Sequence, residues 1–132
     1  MEPIKRRRLT AKQRKQVFDT YKGHCAYCGT EIAFRGMQID HKKPLSIGGE
    51  DVLENMLPAC RSCNHYKHML DIERFREYLS GIPKRVKRDS IAFRVGERYG
   101  LVQVIDVPVR FYFEKVEEEC GKREDERLHS LP

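Results

Sequence analysis

Tryptophan is absent from the 132 residues, and no run of 18 apolar residues occurs among them. Charged residues already take 35% of the chain, so its core is small. A small core commonly needs a staple such as a bound metal. Without a long apolar run there is no candidate for a membrane-crossing helix. The N-terminus is basic but no apolar stretch follows it, so the pattern of a secretory leader is missing. These absences lead us to expect one domain with a short appendage, in a reducing compartment and away from membranes.

Cysteine is sparse but ordered. Four of the five thiols fall in two pairs, Cys25-Ala26-Tyr27-Cys28 and Cys60-Arg61-Ser62-Cys63, and Cys120 stands alone. A CxxC turn sets two thiolates on one side of an ion, and two such turns close a tetrahedral zinc shell with no open position. Cys25, Cys28, Cys60 and Cys63 are therefore read as ligands of a structural Zn2+. A disulfide or redox reading is weaker, because no βαβ pattern surrounds either pair. The pairs stand 31 residues apart, so the zinc would staple the base of a long excursion.

Charge is unevenly spread. Residues 1–88 hold nineteen Lys and Arg against ten Asp and Glu, whereas residues 89–132 hold seven against ten. The basic part contains the cysteine pairs, which suits a polyanionic partner.

The periodicity predicts a basic arm over 1–9, then a helix capped by Thr10 and closed near Gly23. Two short strands are expected at Glu31–Phe34 and Met37–Asp40, turning at Gly36, followed by a loop over Pro44–Gly49. A helix is expected from Cys60 to about His68, and another over Ile72–Leu79 capped by Asp71. Lys84–Arg88 reads as a link, and Ser90 as the cap of a third helix. Leu101–Ile105 and Val109–Phe113 read as strands, although short apolar runs are ambiguous. The acidic end reads as an unstructured tail. The domain layout expected is 1–9 arm, 10–82 site-bearing domain, 83–115 extension and 116–132 charged tail.

Inside the zinc frame lie Asp40-His41, with Asn55 and Asn64 after them. Hydrolysis of a phosphodiester needs a nucleophilic water and charge stabilisation at phosphorus. A neutral His takes a proton near pH 7, and a hard divalent ion prefers oxygen ligands such as the Asp40 carboxylate and the Asn64 amide. Neighbours on a strand point to opposite faces, so Asp40 and His41 can share a phosphate only if the backbone bends there. Lys67 and His68 follow Asn64 by three and four residues, on its helical face. With Lys42, Lys43 and Arg61 they are candidate DNA contacts.

The combination Asp40-His41, Pro44-Leu45, Gly48-Gly49, Leu53-Glu54-Asn55 and Cys60-Arg61-Ser62-Cys63-Asn64 resembles the zinc-bearing HNH endonucleases over about residues 21–70. The resemblance implies an α+β fold with a ββα-metal (His-Me finger) core, flanking helices and a C-terminal extension. It implies cleavage of DNA with one catalytic Mg2+ or Mn2+. It places the general base at His41, a metal ligand at Asp40, a loop-holding residue at Asn55 and the last site position at Asn64. Asn64 departs from the literal His of the family's name, and its hard amide oxygen favours magnesium or manganese over softer metals. The expected setting is a bacterial or phage-encoded cytoplasmic protein, monomer or homodimer, that nicks or breaks duplex DNA. The competing reading is a non-catalytic zinc module that binds nucleic acid through the basic arm.

Overall fold

The computed structural model describes residues 8–129. Most of the basic arm expected over 1–9 lies outside them. Helix α1 spans Ala11–Thr20, followed by strands β1 (Gln38–His41) and β2 (Met56–Ala59) and helix α2 (Arg61–Lys67). Then come α3 (Ile72–Ser80), α4 (Ile82–Asp89), α5 (Ile91–Arg98) and α6 (Tyr112–His129). Within this span, residues of Met1–Asp71 and Arg110–Pro132 form one compact unit and Ile72–Val109 a second.

The first unit starts from a reciprocal cap. Thr10 Oγ1 accepts the Gln13 N–H at 3.1 Å while Gln13 Oε1 accepts the Thr10 N–H at 3.0 Å. This satisfies two N–H groups that a helix start would leave unpaired. Val17 on α1 packs with Met37 and Met56, and Phe18, Ile32, Phe34, Ile39 and Leu53 close around them. Strands β1 and β2 are antiparallel, with Asp40 opposite Leu57 and His41 opposite Met56. With α2 directly after β2, the unit has the expected ββα order in a small α+β fold.

The strand partner differs from the local hairpin expected over 31–40. Glu31 forms only an isolated bridge with His24, and Phe34–Gly36 is a single 3-10 turn. That turn leads into Met37, which is buried in the core. Burial of one apolar side chain outweighs the few ladder bonds of a short hairpin, and β1 pairs across a longer loop with β2.

The C-terminal stretch differs too. Neither Leu101–Ile105 nor Val109–Phe113 forms a strand. Phe111 and Phe113 are buried instead, and they lie edge-on to Tyr27 of the first knuckle. The Tyr112 and Phe113 N–H groups donate to the Tyr27 and Ala26 carbonyls at 3.0 and 2.8 Å. The charged tail continues as α6, with Glu118 paired to Arg110 and to Lys122 one turn on. Glu, Lys and Arg are good helix formers, and that propensity prevails over the acid-rich composition here.

The second unit is built from α3, α4 and α5. The expected link at Lys84–Arg88 is part of α4, because Pro83 sits in the first turn, where its missing N–H costs nothing. Ser90 Oγ accepts the Phe93 N–H at 3.1 Å and starts α5. Arg76 reaches the Val109 carbonyl at 2.7 Å, and Lys87 pairs with Glu97 at 3.0 Å.

Candidate metal centre and adjoining cleft

The four paired cysteines come together. One sulfur from each of Cys25, Cys28, Cys60 and Cys63 lies within 4.8 Å of the other three. None is in a disulfide. The second knuckle is tied to α2 by chemistry as well as position, since the Cys60 sulfur accepts the Cys63 N–H at 3.4 Å as the helix cap. A hydrogen bond from the Cys63 thiol draws Cys25 down to about 4 and holds its thiolate, while the same contact and burial push Cys63 up. Four crowded soft donors with one already anionic suit a tetrahedral zinc ion.

The cleft is a separate construction. Asp40, His41, Pro44, Leu45, Ser46, His68 and Met69 line it. Asp40 and His41 are both 4% exposed and both face it. Strand β1 ends at His41 and the chain bends at Lys42 and Lys43, so the strict alternation of a strand stops where the two side chains must converge.

His41 is fixed from the loop. Its Nε2 lies 2.9 Å from an Asp51 carboxylate oxygen. A carboxylate accepts, so the ring proton sits on Nε2 and the Nδ1 lone pair is open. That Nδ1 is buried and has no hydrogen-bond partner among the described residues.

The loop itself is pinned by Asn55. Its Oδ1 accepts the Lys43 N–H at 2.9 Å, and its Nδ2 donates to the Lys43 and Glu50 carbonyls at 2.9 and 2.8 Å. Its backbone carbonyl accepts the Lys42 N–H at 2.8 Å. Gly48 and Gly49 let this loop close. Gly48 has φ +93°, and a Cβ on Gly49 would stand 1.9 Å from the Lys43 carbonyl oxygen.

Asp40 is fixed from α2 and from the first knuckle. Its Oδ2 takes the Lys67 ammonium at 2.8 Å and the Tyr27 hydroxyl. Lys67 also donates to the His41 carbonyl at 2.9 Å. Burial, and then the Asp40 charge, push the Tyr27 phenol up, so it stays a donor.

The expected DNA contacts are thus corrected in one respect. Lys67 is fully buried and its ammonium is engaged at Asp40, so it offers nothing to a DNA backbone. Lys43, Arg61 and His68 are exposed, and the Lys42 ammonium sits 4.6 Å from the Phe113 ring centre. Asn64 is half-buried on α2, and its carbonyl accepts the His68 N–H at 3.1 Å. Among the described residues the cleft is lined by His68 rather than Asn64. His68 has φ +50°, an uncommon value for a residue with a side chain.

Three partners escaped the sequence reading. Neither Asp51 nor Tyr27 stands out as a site residue in the sequence, and Lys67 reads as a DNA contact. An aromatic residue between two zinc ligands was the one available signal, since a ring gains by burial.

The family described as HNH endonuclease matches residues 25–69. YoqL of Bacillus subtilis (strain 168), an SPbeta prophage-derived protein provisionally named an HNH endonuclease, is 33% identical over 72 residues. The match covers 48% of this chain and 31% of YoqL, so the chain spans under a third of that relative's length. A crystal structure of the Type II-C Cas9 enzyme from Actinomyces naeslundii aligns at 26% identity and TM-score 0.46, over 49% of this chain and 7% of that one. The stretch from Cys25 to Met69 is thus similar to the HNH endonuclease family.

Proposed function

We propose that the protein is a metal-dependent endonuclease that hydrolyses phosphodiester bonds in DNA, with His41 as its general base. One observation carries the reading: the buried, unpartnered Nδ1 of His41, opening beside Asp40 on a cleft in a basic domain. A purely binding module has no use for a buried imidazole nitrogen whose tautomer is set by a second carboxylate.

His41 Nδ1 takes the proton of the attacking water. Asp51 holds the ring orientation and stabilises the imidazolium that forms, as an acid partner does for a catalytic His. Asn55 keeps the loop bearing Asp51 against β1. On Asp40, Oδ2 is committed to Lys67 and Tyr27, while no described residue bonds Oδ1. The free Asp40 oxygen is a hard donor that fits magnesium or manganese, and the Asn64 amide, which does not line the cleft in this structure, would have to turn in to join it. An ion held there supplies charge neutralisation at the phosphate and at the leaving oxygen. The exposed Lys43 and Arg61, with the His68 ring as a hydrogen-bonding neighbour, are the groups best placed to hold the DNA backbone.

The relative's prophage origin fits a phage-encoded enzyme of a bacterial cytoplasm. No described helix is long and apolar enough to cross a membrane. A single cleft cuts one strand, so a monomer nicks duplex DNA. The deciding experiment incubates zinc-loaded protein with supercoiled plasmid and Mg2+ or Mn2+. Conversion to open circles by the parent and not by His41→Ala is expected. Equal rates from the two would remove His41 from the chemistry and favour the DNA-binding zinc module.

A further inference from the structure

Lys67 is the largest fully buried side chain in the unit, and it carries a charge. A buried ammonium costs several kcal/mol in lost hydration unless an anion and further acceptors compensate. Here the compensation comes from Asp40 Oδ2 at 2.8 Å and the His41 carbonyl at 2.9 Å. Asp40 is equally committed, since it is 4% exposed and takes the Tyr27 hydroxyl as well. The two groups form a near-neutral pair. A divalent cation approaching Asp40 Oδ1 therefore meets one anion and one cation, not an unopposed carboxylate.

We infer that Lys67 makes uptake of the divalent ion at Asp40 conditional on DNA. Building on the nuclease reading above, this assigns a regulatory role to a residue of the same site. In the free protein the ammonium cancels the charge that would attract the ion. Bound DNA brings phosphate oxygens into the cleft, and their negative charge restores the attraction. Ion and DNA then bind together, and by linkage each tightens the other by the same factor. Tyr27 and Lys67 share Oδ2, which leaves Oδ1 as the Asp40 oxygen without a described partner.

A merely structural role for Lys67 predicts the opposite sign. If the ammonium only propped Asp40, its removal would loosen the carboxylate and weaken ion uptake. The inference predicts that removal strengthens it.

The test reads Mn2+ binding by the loss of the free-ion electron paramagnetic resonance signal, on the full zinc-loaded chain. His41→Ala serves as the background so that a short duplex DNA stays intact. DNA is expected to tighten Mn2+ binding by about 5–150-fold, the usual span of coupling between two sites. Without DNA, Lys67→Met is expected to bind Mn2+ about tenfold more tightly or better, with Asp40→Asn abolishing the gain. Retained zinc and a cooperative melt certify the fold of each variant. If Lys67→Met does not fold, Lys67→Gln, which keeps a donor for the His41 carbonyl but not the charge, takes its place with the same expectation. Asp40-dependent binding that is equally tight with and without DNA overturns the inference and leaves the nuclease reading standing. Weaker binding in folded Lys67→Met overturns it in favour of a prop. No Asp40-dependent Mn2+ binding under any condition sinks the metal-site reading itself.

Discussion

The two ends of the stretch from Cys25 to Met69 are held in opposite ways. The thiol knuckles depend on four side chains of one kind, two and two, each pair within four residues of chain. The cleft depends on unlike partners from distant places: Asp51 for His41, Lys67 and Tyr27 for Asp40, Asn55 for the loop. The knuckles are a single joint, and losing one ligand opens it. The cleft is a set of separate props, and each can fail alone. Stability and chemistry are therefore expected to come apart under mutation.

The largest effect tests the joint. Cys63→Ser should leave the first unit unfolded, because structural zinc contributes on the order of 10 kcal/mol in small zinc peptides. Circular dichroism melts with zinc analysis check this, and a normal melt would merge the two regions into one kind. Next comes His41→Ala, which should lower plasmid nicking by about 10²–10⁴-fold with zinc content and DNA affinity unchanged. Loss of the orienting carboxylate in Asp51→Ala should cost no more than loss of His41 itself, up to about 10⁴-fold in rate, as when a catalytic His loses its acid partner. Its signature is a fall in turnover without a fall in DNA binding.

A smaller effect belongs to Asn55→Ala. It removes three hydrogen bonds at about 1 kcal/mol each, so melting should drop modestly and nicking should fall through the loop. The smallest lies outside the cleft altogether. Deleting residues 1–8 should flatten the salt dependence of DNA binding, since each phosphate contact contributes a slope of about −0.9 on duplex DNA. Titrations at several salt concentrations measure it, and an unchanged slope would take the arm out of the interface.

What the sequence disclosed follows the same division. The knuckles were legible because a CxxC turn is local, and its spacing alone sets the donor geometry. Asp40-His41 and Asn55 were legible as a pattern, and the hydrogen bonds of Asn55 explain why that spacing recurs as one. Asp51 was not, because its role depends on a loop closed by Asn55 and Gly49. Lys67 was misjudged because a lysine on a short helix near a presumed DNA site reads as a surface cation. Only the packing of α2 on β1 reveals it as buried. Strand β2 was missed for a related reason: Met56-Leu57-Pro58-Ala59 carries no alternation, since all four positions are buried. The apolar run at 109–113 was recognised as apolar, but its destination, the Tyr27 knuckle, lies some eighty residues back.

That destination bears on when the cleft becomes whole as the chain is made. Phe111 and Phe113 back the ring of Tyr27, and the Tyr27 hydroxyl holds Asp40. Every residue of the family pattern leaves the ribosome before position 70, yet the wall behind Asp40 is supplied by chain translated some forty residues later. A nascent chain can thus bring its four thiols together early and hold an unfinished cleft until Phe111 and Phe113 have emerged. If the cleft acts as proposed, it would stay quiet until those two rings are in place.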